Sequence, residues 1–144
     1  MTAEQLEALV REGVLERVAS DREAAGRDLT AAEEHLLELD ERARKDPGGA
    51  FALAYEATRK AIVAHMRASG FRVRSRSGAH YQTGRYAKAA LDDLNVSGDV
   101  GAFEELRRLR NRSAYEALPV DEQAAVRAIG HAGALVVAVR RDLS

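Results

Sequence analysis

The chain has 144 residues, is 46% hydrophobic but only 5% aromatic, and carries a formal net charge of −1. That length and composition suit a single domain, 1–144, with a core of its own, and the absence of cysteine excludes disulfides and thiolate metal sites. No apolar run approaches the roughly 20 residues that span a bilayer, and the opening Met1-Thr2-Ala3-Glu4-Gln5-Leu6 has neither part of a secretory signal, so the expected location is cytoplasmic, away from any membrane.

Alanine and leucine dominate and alternating strand patterns are missing, so the expected class is all-α, an up-and-down bundle of about five helices. Thr2 to Gln5 reads as a capping box for a short helix carrying Leu6, Leu9 and Val10, ended by Gly13; with its connector this occupies 1–19. Ser20-Asp21-Arg22-Glu23 is a second capping box, opening the 20–142 bundle with a long helix to about Lys45. Its seam is Ala25, Leu29, Ala32, Leu36, Leu39 and Ala43, and Gly26 is the weak point. After the turn at Asp46-Pro47-Gly48-Gly49, a helix over about 49–69 puts Phe51, Tyr55, Thr58, Ile62 and His65 on one side, with His65 read as a core residue.

Ser69-Gly70 stops that helix. Phe71 to Gly78 then alternates Arg72, Arg74 and Arg76, and is expected to be a basic loop because no partner strand is evident. A helix over about 80–94 carries Tyr81, Tyr86, Ala89 and Leu91, with Gly84 a possible interruption; the turn Asn95 to Asp99 follows. The final helix, about 120–141, is apolar around much of its circumference and holds Gly130 and Gly133. It reads as either the central element or a dimer helix.

The helix between these two is the most informative. Phe103, Leu106, Leu109, Ser113, Ala114 and Ala117 share one face, and Arg110 projects near its middle, between Phe103 and Leu106. Glu104, Arg108, Asn111 and Tyr115 line up beside it. An inward arginine needs a partner, and a guanidinium grips carboxylate or phosphate in a fixed fork. The partner is either a carboxylate such as Glu56 or a ligand. Charge is also segregated: acids outnumber bases up to Glu56, and from Ala57 to Arg112 the balance reverses. Such a basic region attracts either a phosphate backbone or an acidic protein.

Arg110-Asn111, three residues, then Tyr115 resembles the signature of the HEPN superfamily, in which His stands four to six residues after the Arg. The stretch Phe51 to Ala61 resembles the second long helix of such domains, and the Gly78-Ala79-His80 step after the arginine-rich segment is similar to one that relatives carry. The resemblance covers roughly residues 20–142 and implies a small helical toxin or defence protein of the prokaryotic toxin–antitoxin kind. It implies a homodimer in which two Arg-Asn motifs form one cleft, and metal-independent endoribonuclease activity through Arg110, Asn111 and Tyr115. Tyr115 stands where the family has His; its pKa, ordinarily near 10, suits proton transfer only if Arg108 and Arg112 depress it. His80 is either an alternative proton carrier or a helix-start residue without a role. Arg107, Arg108, Arg112, Arg72, Arg74, Arg76 and His80 are the expected RNA- or nucleotide-binding residues. A catalytically silent module binding a nucleotide, RNA or a nucleotidyltransferase-type antitoxin is the alternative. The spacing of His, Asp and Glu suggests no metal site, no cofactor motif is present, and His35 and His131 occupy ordinary positions.

Overall fold

A computed structural model describes residues 2–74, 78–116 and 119–144, and the side chains of all of these except Thr2, Tyr115 and Glu116. Among the described residues are α1 (Thr2–Arg11), β1 (Leu15–Arg17), α2 (Arg22–Leu36), α3 (Leu39–Lys45) and α4 (Pro47–Ser69). They continue with β2 (Phe71–Val73), α5 (Ala79–Ala90), a 3-10 turn (Asp92–Leu94), α6 (Ser97–Glu116) and α7 (Glu122–Asp142). The protein is therefore mostly helical, and its described residues form seven α-helices where the sequence suggests about five.

The centre is α4. Its buried side includes Phe51, Tyr55, Thr58, Ile62 and His65, as the periodicity predicts, and alanines at 50, 54, 57, 61 and 64 let neighbouring helices approach closely. Packed against it are α2, whose buried residues include Ala25, Leu29 and Ala32, and α7, whose buried residues include Ala125, Ala128, Ala132, Leu135 and Val139. The final helix is thus a packing partner of the central element rather than that element itself, and its Val126 and Val137 remain exposed.

Aspartate side chains cap the starts of α2, α4 and α7. Asp21, one residue beyond the expected Ser20, accepts from the Ala24 N–H at 3.0 Å, while the Ser20 hydroxyl donates to the Ala68 carbonyl at 2.6 Å. Asp46 accepts from the Gly49 N–H at 3.0 Å, and Pro47 in the first turn costs no hydrogen bond, which starts α4 two residues earlier than the periodicity suggests. The expected long helix to Lys45 is two helices. The chain leaves α2 at Leu37, extended and exposed, and Glu38 turns through φ 59° into α3. No Gly or Pro marks that break, and α2 runs unbroken through Gly26.

The segment after Gly70 is not simply a basic loop. Phe71–Val73 pairs antiparallel with Leu15–Arg17, in the register Leu15 with Val73 and Arg17 with Phe71. Gly70 makes the junction: it ends α4 at φ 80°, accepts from the Val18 N–H at 2.9 Å, and a Cβ there would lie 3.0 Å from the Val18 carbonyl oxygen. Arg76 lies outside the described residues.

Candidate anion site where α4, α5 and α6 meet

Three elements bring their functional side chains to one ring. Tyr55 of α4 is 1% exposed and stacks on Phe103 of α6, with centroids 5.5 Å apart and planes 13° from parallel. His80, in the first turn of α5, reaches the same tyrosine: its Nδ1 lies 2.9 Å from the Tyr55 hydroxyl. Gly84, one turn further along α5, permits this approach, because a Cβ there would sit 3.0 Å from the Phe103 ring. Helix α5 continues through Gly84 rather than breaking at it. Arg110, two turns beyond Phe103 on the same face of α6, lays its guanidinium over Tyr55, 5.4 Å from the ring centroid.

Other cations surround this group, and most are already paired. Arg59 forms a two-point ion pair with Glu56 one turn earlier on α4. Arg107 forks onto Glu104 at 2.9 and 2.6 Å and covers Tyr81 at 5.5 Å. Arg108 also reaches Glu104, at 3.3 Å. Arg110 is different: among the described residues it has no carboxylate partner, and its hydrogen bond is a long one of 3.5 Å to the Asn111 side-chain oxygen.

The electrostatics follow from burial and these cations. Burial pushes the Tyr55 hydroxyl up to about 12, against the pull of Arg110, Arg107 and Arg59, so the phenol stays protonated. His80 is moved below its ordinary value, first by burial and then by Arg110 and Arg59, with Glu56 opposing. The Arg59 hydrogen bond holds the Glu56 carboxyl below the usual range.

The structure corrects the sequence reading of Arg110 in one respect. The residue does share a face with buried Phe103 and Leu106, yet it is exposed rather than inside a cleft. The reason is that α6 outruns the core. Leu109 and Ser113 are half-buried and Ala114 is exposed, so the apolar stripe fades along the helix, and Ala117 lies outside the described residues. The suggested internal partner Glu56 is taken by Arg59 instead.

The remaining predicted residues divide into groups. Asn111, Arg108 and Arg112 border an open groove of about 580 Å³ between α6 and α7, shared with Leu106, Leu109, Arg127 and His131. His131 is paired there with Asp99 at 2.8 Å. Arg72 and Arg74 face Glu16 of the small sheet, so they are not brought to Tyr55. The Tyr115 side chain, like Arg76, is outside the described residues. His65 is the core histidine expected, bounded by the Tyr86 hydroxyl at 2.8 Å and Asp142 at 3.0 Å.

Tyr55 and Arg59 were not singled out for the site by sequence reasoning. The available signal was Tyr55-Glu56 followed by Arg59, a carboxylate and a guanidinium one helical turn apart beside an aromatic residue. Among the described residues no group of three or more His, Asp or Glu side chains is arranged to hold a metal ion, and no helix is long and apolar enough to cross a membrane.

Comparison with known proteins gives no match: no family model fits the chain, and no curated protein or solved structure is significantly similar to it. The arrangement itself offers one uncommitted guanidinium and one imidazole on a rigid aromatic base. A free guanidinium beside an imidazole has the chemistry to meet a single anionic group, and further arginines lie along α6.

Proposed function

We propose that this protein is a HEPN-like toxin or defence domain that acts on RNA, a metal-independent endoribonuclease in which Arg110 and His80 engage the same phosphate. The observation that carries this reading is that an arginine without a carboxylate and a histidine share one buried tyrosine. Cleavage without metal needs positive charge on the phosphate, a proton donor at the leaving 5′ oxygen and an acceptor for the 2′-hydroxyl proton. Arg110 supplies the first, and His80 strengthens it by donating a hydrogen bond to the same phosphate, which leaves the proton for the 5′ oxygen to come from solvent. Asn111 orients the phosphate, and Tyr115 at the end of α6 is the acceptor candidate that the sequence motif suggests. Arg107, Arg108 and Arg112 extend the positive surface along the same helix.

A homodimer with paired Arg-Asn motifs belongs to this reading. The decisive assay is cleavage of a defined RNA in chelator by wild type, Arg110→Ala, His80→Ala and Tyr115→Phe. Loss of cleavage in the Arg110 and His80 variants supports the reading; equal cleavage by all four removes this site.

One observation favours a second reading, a catalytically silent module that binds a nucleotide, RNA or a nucleotidyltransferase-type antitoxin. His80 is held neutral by burial and the neighbouring arginines, which leaves little imidazolium to act as an acid. Under that reading wild type binds RNA and cleaves none.

A further inference from the structure

Among the described residues the hydroxyl proton of Tyr55 has one acceptor. The side chain is almost fully buried, and among the described residues its only hydrogen-bond partner is Nδ1 of His80, at 2.9 Å. A buried O–H left without an acceptor is costly. If Nδ1 carried a proton and donated to the phenol oxygen, the phenol proton would have no acceptor in the described surroundings. The two rings lie within 23° of parallel with centroids 5.7 Å apart, an offset arrangement rather than a close face-to-face stack. The imidazole lone pair lies in its ring plane, so an offset of this kind brings the phenol proton towards it.

We propose that Tyr55 donates to Nδ1 and fixes His80 as the Nε2–H tautomer, so that His80 meets a bound phosphate as a neutral hydrogen-bond donor while Arg110 supplies the charge. Tyr55 is then a positioning residue: it touches no ligand and acts through the histidine. Nε2 has no protein partner among the described residues, which leaves it for the ligand. The charged groups facing His80 agree with a neutral ring. Arg110 and Arg107 come from α6 and Arg59 from α4, all opposing a second positive charge; Glu56 of α4 works against them, and Arg110, which has no carboxylate partner among the described residues, is the largest of these charge effects. A neutral imidazole used in this way stabilises developing negative charge without giving up its proton. Binding through His80 should therefore persist as pH rises through about 6.5, where an imidazolium contact would be lost.

The phosphate ligand rests on the function proposed above; the tautomer does not, and the test separates them. Protein with 15N-labelled histidine is examined near neutral pH by long-range 1H–15N correlation, with His80 assigned by its loss in His80→Asn. Affinity for a single-stranded oligoribonucleotide is measured alongside, in wild type and Tyr55→Phe. Wild type should show Nε2–H at His80. Tyr55→Phe, which keeps the ring against Phe103, should mix the tautomers and weaken RNA binding by roughly threefold to tenfold, the loss of about one hydrogen bond. A wild-type His80 protonated on Nδ1, or a Tyr55→Phe spectrum identical to wild type, overturns the proposal whatever RNA does. A correct tautomer in a protein that binds no RNA overturns the phosphate-donor role and the RNA reading, and leaves only the hydrogen bond.

Discussion

Arg110 and Tyr55 are fifty-five residues apart in sequence and touch, the guanidinium lying over the ring at 5.4 Å from its centroid. The contact couples an exposed cation to the most buried part of α4. A side chain as long as arginine loses considerable rotamer freedom when it binds a ligand. An aromatic platform takes part of that loss in advance, so Arg110 is partly ordered before any anion arrives.

The first prediction concerns that charge. Arg110→Ala should weaken binding of single-stranded RNA by roughly tenfold to a hundredfold, the scale of a charge-assisted hydrogen bond. Arg110→Lys should recover only part of this, because an ammonium lacks the planar fork and lies less well on a ring. Fluorescence anisotropy with a labelled oligoribonucleotide checks both.

The second concerns salt. If Arg110, Arg112 and their neighbours hold phosphates, the logarithm of the RNA affinity should fall linearly with the logarithm of salt concentration. Arg110→Ala should reduce that slope by about one contact's worth, roughly 0.7 for single strands. Titrations at several salt concentrations measure it.

The third concerns Gly84. An added methyl would press on Phe103 at 3.0 Å, so Gly84→Ala should cost about 1–3 kcal/mol of folding stability through overpacking. This offsets the helix-propensity gain that alanine normally brings. Chemical denaturation reads the stability. RNA affinity should fall as well, because a displaced α5 carries His80 away from Tyr55.

The fourth concerns pH and His65. Burial lowers its pKa in the folded protein, although Asp142 opposes the shift, so the unfolded chain binds the proton more readily. A depressed histidine leaves stability at its full value above about 6.5 and lowers it as pH falls below that, until the folded-state value is reached. His80 contributes in the same direction. Denaturation midpoints should therefore decline below about pH 6.5, and His65→Gln should flatten that decline while lowering stability at neutral pH.

Much of this architecture is legible in the residues themselves. Asp46-Pro47 and the period of Phe51, Tyr55, Thr58 and Ile62 mark α4, and the buried side is the one they indicate. The pattern fails where the cause is not local. Nothing near Leu37 and Glu38 announces the break between α2 and α3, since Leu36, Leu39 and Ala43 keep the seam intact across it. The pairing of β1 with β2 joins three-residue strands more than fifty residues apart, too short to leave an alternation on the β1 side.

The site was half legible for the same reason. Helical geometry gives the direction of Arg110 correctly, because Phe103 and Arg110 are seven residues apart. It does not give exposure, which depends on where the core ends under α6. His80 stands out beside a glycine and a run of arginines, yet its partner Tyr55 is twenty-five residues earlier on another helix. Tyr55 itself reads as one more apolar position of α4.

The account stands on Arg110 and His80 engaging the same phosphate, and a double-mutant cycle on RNA affinity tests that most directly. Wild type, Arg110→Ala, His80→Ala and the double variant are compared with one oligoribonucleotide under one salt condition. Shared contact with a single phosphate predicts that the two losses are not additive, with a coupling of about 0.5 kcal/mol or more. Losses that add within about 0.3 kcal/mol, or no loss from either substitution, would contradict it.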